Sequence, residues 1–207
     1  MPRKVDWTSV EASTDGDYKK IAPGAYVGVI TEMNDITNRE YVQLVFDIAD
    51  GEFKGYFSDS FYANKPWAHN MVLSYKDSAL GMTKGRLETI QECNPGFDPF
   101  AAWDGNRMDM FVGRRVGVVL RDEEYWDRND REFKLGSPKC FKLCKLEDIA
   151  SGKYAEVKPK MLDDKGKRDA LSRAGYGQTD IDMILMAPAQ PAAQSAPAGT
   201  YDGPLPF

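Results

Sequence analysis

The sequence predicts a mainly β (α+β) domain: a small five-stranded barrel with a helical insert between strands three and four, followed by a C-terminal extension. Two observations predict it. Residues 41–48 alternate cleanly, with Val42, Leu44, Phe46 and Ile48 on one face and Tyr41, Gln43, Val45 and Asp47 on the other. Runs of helical spacing fall between two groups of such alternating segments, giving the order three strands, helix, two strands.

Taken in order, residues 1–20 are polar and without period, an N-terminal arm with Trp7 as its one large anchor. A first strand, Ala25–Glu32, opens at Pro23-Gly24; Tyr26, Gly28 and Ile30 alternate with Ala25, Val27, Val29 and Thr31, and Asn34–Asn38 closes it as a turn. After the second strand, Asp50-Gly51 is a hairpin signal leading to an aromatic third strand, Phe53–Tyr62. His69–Leu80 and Thr83–Cys93 carry apolar residues at helical spacing, Met71, Val72 and Tyr75, then Leu87, Ile90 and Cys93. Asn94-Pro95-Gly96 stops the helix, and an irregular stretch holds Trp103. Val116, Val118 and Leu120 mark the fourth strand. The polar tip Asp127–Asp130 leads into a last strand pair between Glu132 and Leu146.

That order is the order of an OB-fold, a five-stranded Greek-key barrel with a helix between strands three and four. A generic β-sandwich is the alternative, for which five strands are few. The barrel is assigned to residues 21–150. Residues 151–186 form a Lys-rich, short helical extension, irregular over Ser151–Asp164 and then helical over Asp164–Ala174 up to Gly175. A second helix, Thr179–Met186, is N-capped by Thr179 and carries the stripe Ile181, Ile184 and Leu185. That stripe could equally pack between copies in a homo-oligomer. Residues 187–207 are an Ala/Pro/Gln/Ser linker, too poor in hydrophobes to fold, that delivers a tail tip.

Composition narrows the function. Hydrophobic content of 42% and charged content of 29% are ordinary for a globular protein. No apolar run approaches the roughly 18 residues of a membrane span. Met1–Trp7 has no apolar stretch behind its charges, so no secretory signal is expected and the cytoplasm is the expected location. Cys93, Cys140 and Cys144 form no CxxC pair, and His69 is the only histidine; reduced thiols packed as small hydrophobes are expected, with no metal and no cofactor. The net charge of −5 opposes a simple polyanion binder, and residues 21–150 alone hold 16 Lys and Arg against 21 Asp and Glu. A nucleic-acid surface on this chain must be a local groove that leans on base stacking as well as on phosphate neutralisation.

Two groups of residues suit such a groove. On the expected third strand, Phe53, Phe57 and Phe61 face the core, while Tyr56, Ser58, Ser60 and Tyr62 face outward beside Lys54 and ahead of Trp67. OB-folds bind oligonucleotides on the strand two–three face, so Tyr41, Tyr56, Tyr62 and Trp67 are expected to stack on bases. The competing reading is that these aromatics simply cover a half-exposed sheet. Arg114, Arg115 and Arg121 flank the fourth strand, and Arg128, Arg131, Lys134, Lys139, Lys142 and Lys145 follow; Lys54, Arg115, Arg121 and Lys142 are the expected phosphate contacts. Pairing with Asp122, Glu123, Glu124 and Asp127 is the competing reading there. No catalytic set is evident: there is no Walker loop, no GxGxxG and no serine or cysteine motif near His69, so no enzymatic activity is expected.

The chain ends Asp202-Gly203-Pro204-Leu205-Pro206-Phe207, a ring and a carboxylate on one residue that a pocket with an apolar floor and a cationic rim captures. This tail resembles the acidic tip of bacterial single-stranded DNA-binding proteins, which ends in Ile-Pro-Phe after several aspartates and recruits replication and repair enzymes. Here one acid stands for several, and Leu205 replaces the isoleucine. The body has its own resemblance. Val5-Asp6-Trp7, Pro23-Gly24-Ala25-Tyr26, Glu40-Tyr41, Phe46-Asp47-Ile48-Ala49, Gly51–Phe57, Ser74-Tyr75-Lys76 and Asn94–Phe97 look like a phage and prophage family of single-stranded DNA-binding proteins, over roughly residues 5–150. The resemblance implies an OB-type barrel, a bacterial host cell and a setting of phage DNA replication and recombination. Asp202, Leu205, Pro206 and Phe207 would then recruit a recombinase, helicase or nuclease. The alternative function is an OB scaffold for protein–protein interaction without physiological DNA binding.

Overall fold

The computed structural model describes residues 20–58, 62 and 65–186, the Trp67 side chain excepted. The expected N-terminal arm with Trp7, the linker and the tail tip lie outside the described residues. The chain divides into two compact units, residues 1–162 and 163–207.

The first unit is organised by one long strand, β1 (Gly24–Ile36). Its first half pairs antiparallel with β4 (Arg115–Arg121) and its second half with β2 (Tyr41–Ile48). Gly28 sits in both ladders, where a Cβ would lie 3.0 Å from a Val118 methyl and 3.2 Å from the Val116 carbonyl. Just beyond it Thr31 is an extra residue, a bulge between Ile30 and Glu32. A bulge re-phases and bends a strand: Ile30 and Met33 point into the core, and Glu32 is exposed. β2 pairs with β3 (Asn70–Ser74), and β4 with β7 (Lys139–Cys144), giving the order β3-β2-β1-β4-β7. These strands curl into a nearly closed barrel of the OB type. Its two edges, β3 and β7, approach each other, but among the described residues no hydrogen-bond ladder joins them.

Two helices connect β3 to β4: α1 (Leu80–Cys93) and α2 (Pro99–Asp104). Asp98 caps α2 by accepting from the amides of Phe100 and Ala101, with Pro99 in the first turn where no amide is needed. Between β4 and β7 stands a separate hairpin of β5 (Glu124–Asp127) and β6 (Glu132–Leu135), and α3 (Leu146–Ser151) follows β7. The core holds Val42, Leu44, Phe46 and Ile48 from β2, Val116, Val118 and Leu120 from β4, Leu73 from β3, and Leu87 and Ile90 from α1. Each such side chain contributes about 1.5–3 kcal/mol by leaving water. In the second unit α4 (Asp164–Arg173) pairs with α5 (Gln178–Met186). Leu171 and Ile181 are buried there, and Arg168 meets Asp182 at 2.6 Å.

Several expected elements are displaced. The described residues of the expected third strand, 53–58 and 62, form no strand. Gly51 and Gly55 take positive φ, +79° and +75°, which no strand tolerates, and Tyr56–Ser58 is a short 3-10 turn. The third strand is Asn70–Ser74, within the segment expected to be helical from His69; the helix starts only at Leu80. The last strand pair is divided between two sheets, since Glu132–Leu135 pairs with β5 and Lys139–Cys144 with β4. Trp103 lies on α2 rather than in irregular chain. β1 runs on through the expected turn at Asn34–Ile36, and α5 begins at Gln178, one residue before the expected cap Thr179. Residue 150 falls inside α3, and the chain stays with the barrel to Leu162 through a parallel bridge between Lys160 and Glu123.

Candidate nucleic-acid interface

The site grows from one carboxylate. Asp47 is 5% exposed on the outer face of β2, and there it organises the β2–β3 connection. Its Oδ1 accepts from the amides of Ile48 (2.7 Å) and Phe57 (2.9 Å), and its Oδ2 from the Ser58 hydroxyl. Three donors satisfy a charge that burial alone would expel. Held this way, the connection presents a cluster of rings. Phe57 is buried edge-on to Phe46 at 5.8 Å and to Tyr62 at 5.3 Å, Tyr56 lies 5.3 Å from Tyr62, and Phe53 bridges Tyr56 to Tyr26. His69 stacks on Phe57 at 4.8 Å and 16°. Its Nδ1 is buried without a hydrogen-bond partner, and burial holds its pKa below the ordinary value against the opposing pull of Asp47.

Facing this cluster is the β5–β6 hairpin. Alternation along β5 turns Trp126 inward, against Phe133 at 4.9 Å, and leaves Tyr125 exposed. The tip is tied by Asp127, which accepts from the amides of Asn129 (2.9 Å) and Asp130, and by Lys134, which pairs with Asp127, Asp130 and Glu132. Between connection and hairpin lies a cleft of about 340 Å³, with Phe57, Tyr62 and Tyr125 as aromatic walls and Lys139 at its edge. That volume is within the usual range for a small-ligand pocket. The acids lining it are occupied: Glu124 accepts from the Leu162 amide at 2.8 Å, and Glu123 lies 3.4 Å from Arg121 and 3.9 Å from Lys160. The cleft therefore offers flat apolar faces rather than open carboxylates.

The residues expected to bind DNA are scattered over this geometry. Tyr62 is 7% exposed and lines the cleft from inside the ring cluster, and Tyr56 is half-buried beside it, its hydroxyl accepting from the Ile21 amide. Neither ring stands on an open strand face. Tyr41 is half-exposed at the start of β2, opposite Ser74. Lys54 and Lys142 are exposed and, among the described residues, make no ion pair. Arg115 pairs with Asp50, at the start of the β2–β3 connection, at 2.5 Å. Arg121 is stacked over Phe141 at 4.5 Å and pairs with Glu123. The Trp67 side chain, Ser60 and Phe61 lie outside the described residues, as do Asp202, Leu205, Pro206 and Phe207. The sequence reading missed Tyr125; its signal was the alternation Glu124-Tyr125-Trp126 directly before the tip Asp127–Asp130. Among the described residues no three His, Cys, Asp or Glu side chains converge as metal ligands.

Comparison with known protein families and with curated proteins finds no match to this chain.

Proposed function

We propose that this chain binds single-stranded DNA without cleaving it, in the cytoplasm of a phage-infected or lysogenic bacterium, during DNA replication and recombination. The observation that carries the reading is the aromatic cleft between the β2–β3 connection and the β5–β6 hairpin, on a barrel type whose loops commonly hold oligonucleotides. Unpaired bases present π-faces on both sides, and a ring such as Tyr125 stacks with any of them, so recognition tolerates sequence and an acidic protein still binds. Lys139, Lys54 and Lys142 provide cations near or beyond the cleft. The tail residues Asp202, Leu205, Pro206 and Phe207 recruit a phage recombinase, helicase or nuclease.

Fluorescence anisotropy with labelled oligo(dT) tests this. Binding is expected to weaken as salt rises and to exceed binding to duplex, and no strand is cut when Mg²⁺ is added. Tyr125→Ala is expected to weaken binding about five- to 150-fold, since one stacked base is worth about 1–3 kcal/mol. Deleting residues 201–207 leaves affinity unchanged or raised while partner recruitment falls. Equal affinity for duplex and single strand, or none for either, overturns the reading. The ion-paired cations, Arg115 with Asp50 and Lys134 with its three acids, favour a second one: an OB scaffold that binds protein, whose signature is no oligonucleotide binding at any salt.

A further inference from the structure

The barrel's open seam contains a second cleft, of about 370 Å³, that the aromatic site does not use. Arg86, one turn after Thr83 on α1, donates to the Val72 carbonyl, and Thr83 donates to the Ser74 carbonyl at 2.6 Å. Both carbonyls belong to the edge of β3, where among the described residues no partner strand ladders, so helix side chains stand in for a strand. The Arg86 guanidinium is half-buried, and among the described residues no carboxylate pairs with it. Burial lowers its pKa, as expected of a cation with too little compensation.

Across the seam is Arg121, its side chain 25% exposed and its guanidinium stacked on Phe141. Its Nε is buried without a hydrogen-bond partner, and among the described residues its one carboxylate contact, Glu123, is long at 3.4 Å and shared with Lys160. Two guanidinium groups thus line one cleft with a single, divided acid between them. Planar N–H forks of this kind match phosphate oxygens. Glu123 lines this cleft and the aromatic one alike, so the two are neighbours at the base of the β5–β6 hairpin.

We infer that the seam between β3 and β7 is a phosphate-binding cleft in which Arg86 and Arg121 grip the backbone of the strand whose bases occupy the aromatic cleft. The inference rests on the single-stranded DNA reading for its ligand, and on the two arginines alone for its anion chemistry.

Two measurements on the full chain test it. The first is the slope of log affinity for oligo(dT) against log salt. Each phosphate contact to a single strand contributes about 0.7 to that slope. Arg121→Gln is expected to reduce it by about 0.7 and Arg86→Gln by the same, whereas Tyr125→Ala lowers affinity with the slope unchanged. Glutamine keeps an N–H for the Val72 carbonyl, and Arg121→Gln, which leaves the seam bond intact, carries the test should Arg86→Gln not fold. The second is thermal melting with millimolar inorganic phosphate, which is expected to stabilise the wild type and not the Arg86→Gln/Arg121→Gln double variant. Oligo(dT) binding with an unaltered slope in the variants overturns the cleft and leaves the DNA reading standing. Phosphate stabilisation that needs both arginines, without oligo(dT) binding, keeps the cleft and overturns the DNA reading. Phosphate stabilisation equal in wild type and variant, with no oligo(dT) binding, overturns both.

Discussion

The sheet around β1 and β4 and the loops at its open end solve opposite problems. In the sheet, strands pack until no atom is spare: at Gly117 an added Cβ would meet Cys144 Sγ at 2.5 Å and the Cys144 carbonyl at 2.6 Å. At the open end, Phe57 and Tyr62 join the core while Tyr125 on the hairpin stays exposed, and the carboxylates of Asp47 and Asp127 accept backbone hydrogen bonds that fix the connection and the hairpin tip. On the proposed reading the contrast separates stability from ligand capture, because a surface that accepts a base must leave a face of some ring uncovered.

Three substitutions sharpen or break that division. The largest effect is expected from Gly117→Ala, which forces β4 and β7 apart and costs about 3 kcal/mol, the upper end of the usual penalty for over-packing; chemical denaturation measures it, and a loss below about 0.5 kcal/mol contradicts the account of the sheet. Next, Asp47→Asn removes the charge and one acceptor from beneath Phe57 and Ser58. A cost of about 1–2 kcal/mol is expected, with a larger fall in oligonucleotide affinity than the stability loss explains. Retained affinity would mean that the connection does not shape the cleft.

The smallest effect concerns His69. Its folded pKa lies below 6.5, so the unfolded chain binds more protons in mildly acidic solution, and stability falls as pH drops below about 6.5. His69→Phe, which keeps a ring on Phe57, is expected to flatten that part of the stability–pH curve. A curve of unchanged shape assigns the acid sensitivity elsewhere.

The same division explains what the sequence reveals. β2 and β4 are legible because each alternates over seven or eight residues against a single core. β3 is not, because in five residues Met71 and Leu73 satisfy a strand while Met71, Val72 and Tyr75 satisfy a helix, and so short a run cannot separate the two periods. The aromatic density of 53–62 outweighed Gly51 and Gly55, although two positive-φ glycines within five residues mark a loop. Of the site, Tyr56, Tyr62 and Arg121 were legible as residue types. That Tyr62 lies inside the ring cluster, and that Tyr125 closes the cleft across from it, depends on a tertiary approach of segments some sixty residues apart, which leaves no local period. Arg86 is silent for the same reason: on the sequence it is one more polar position of an amphipathic helix.

The strap that ends the first unit carries a mechanical implication. Lys160 donates its amide to the Asp122 carbonyl at 2.9 Å and accepts from the Glu124 amide at 2.8 Å, and the Leu162 amide is held by the Glu124 carboxylate. Tension arriving along the backbone at residue 162 therefore loads these three bonds, at the root of the hairpin that carries Tyr125. An enzyme pulling on the far end of the chain would be tugging at one wall of the cleft.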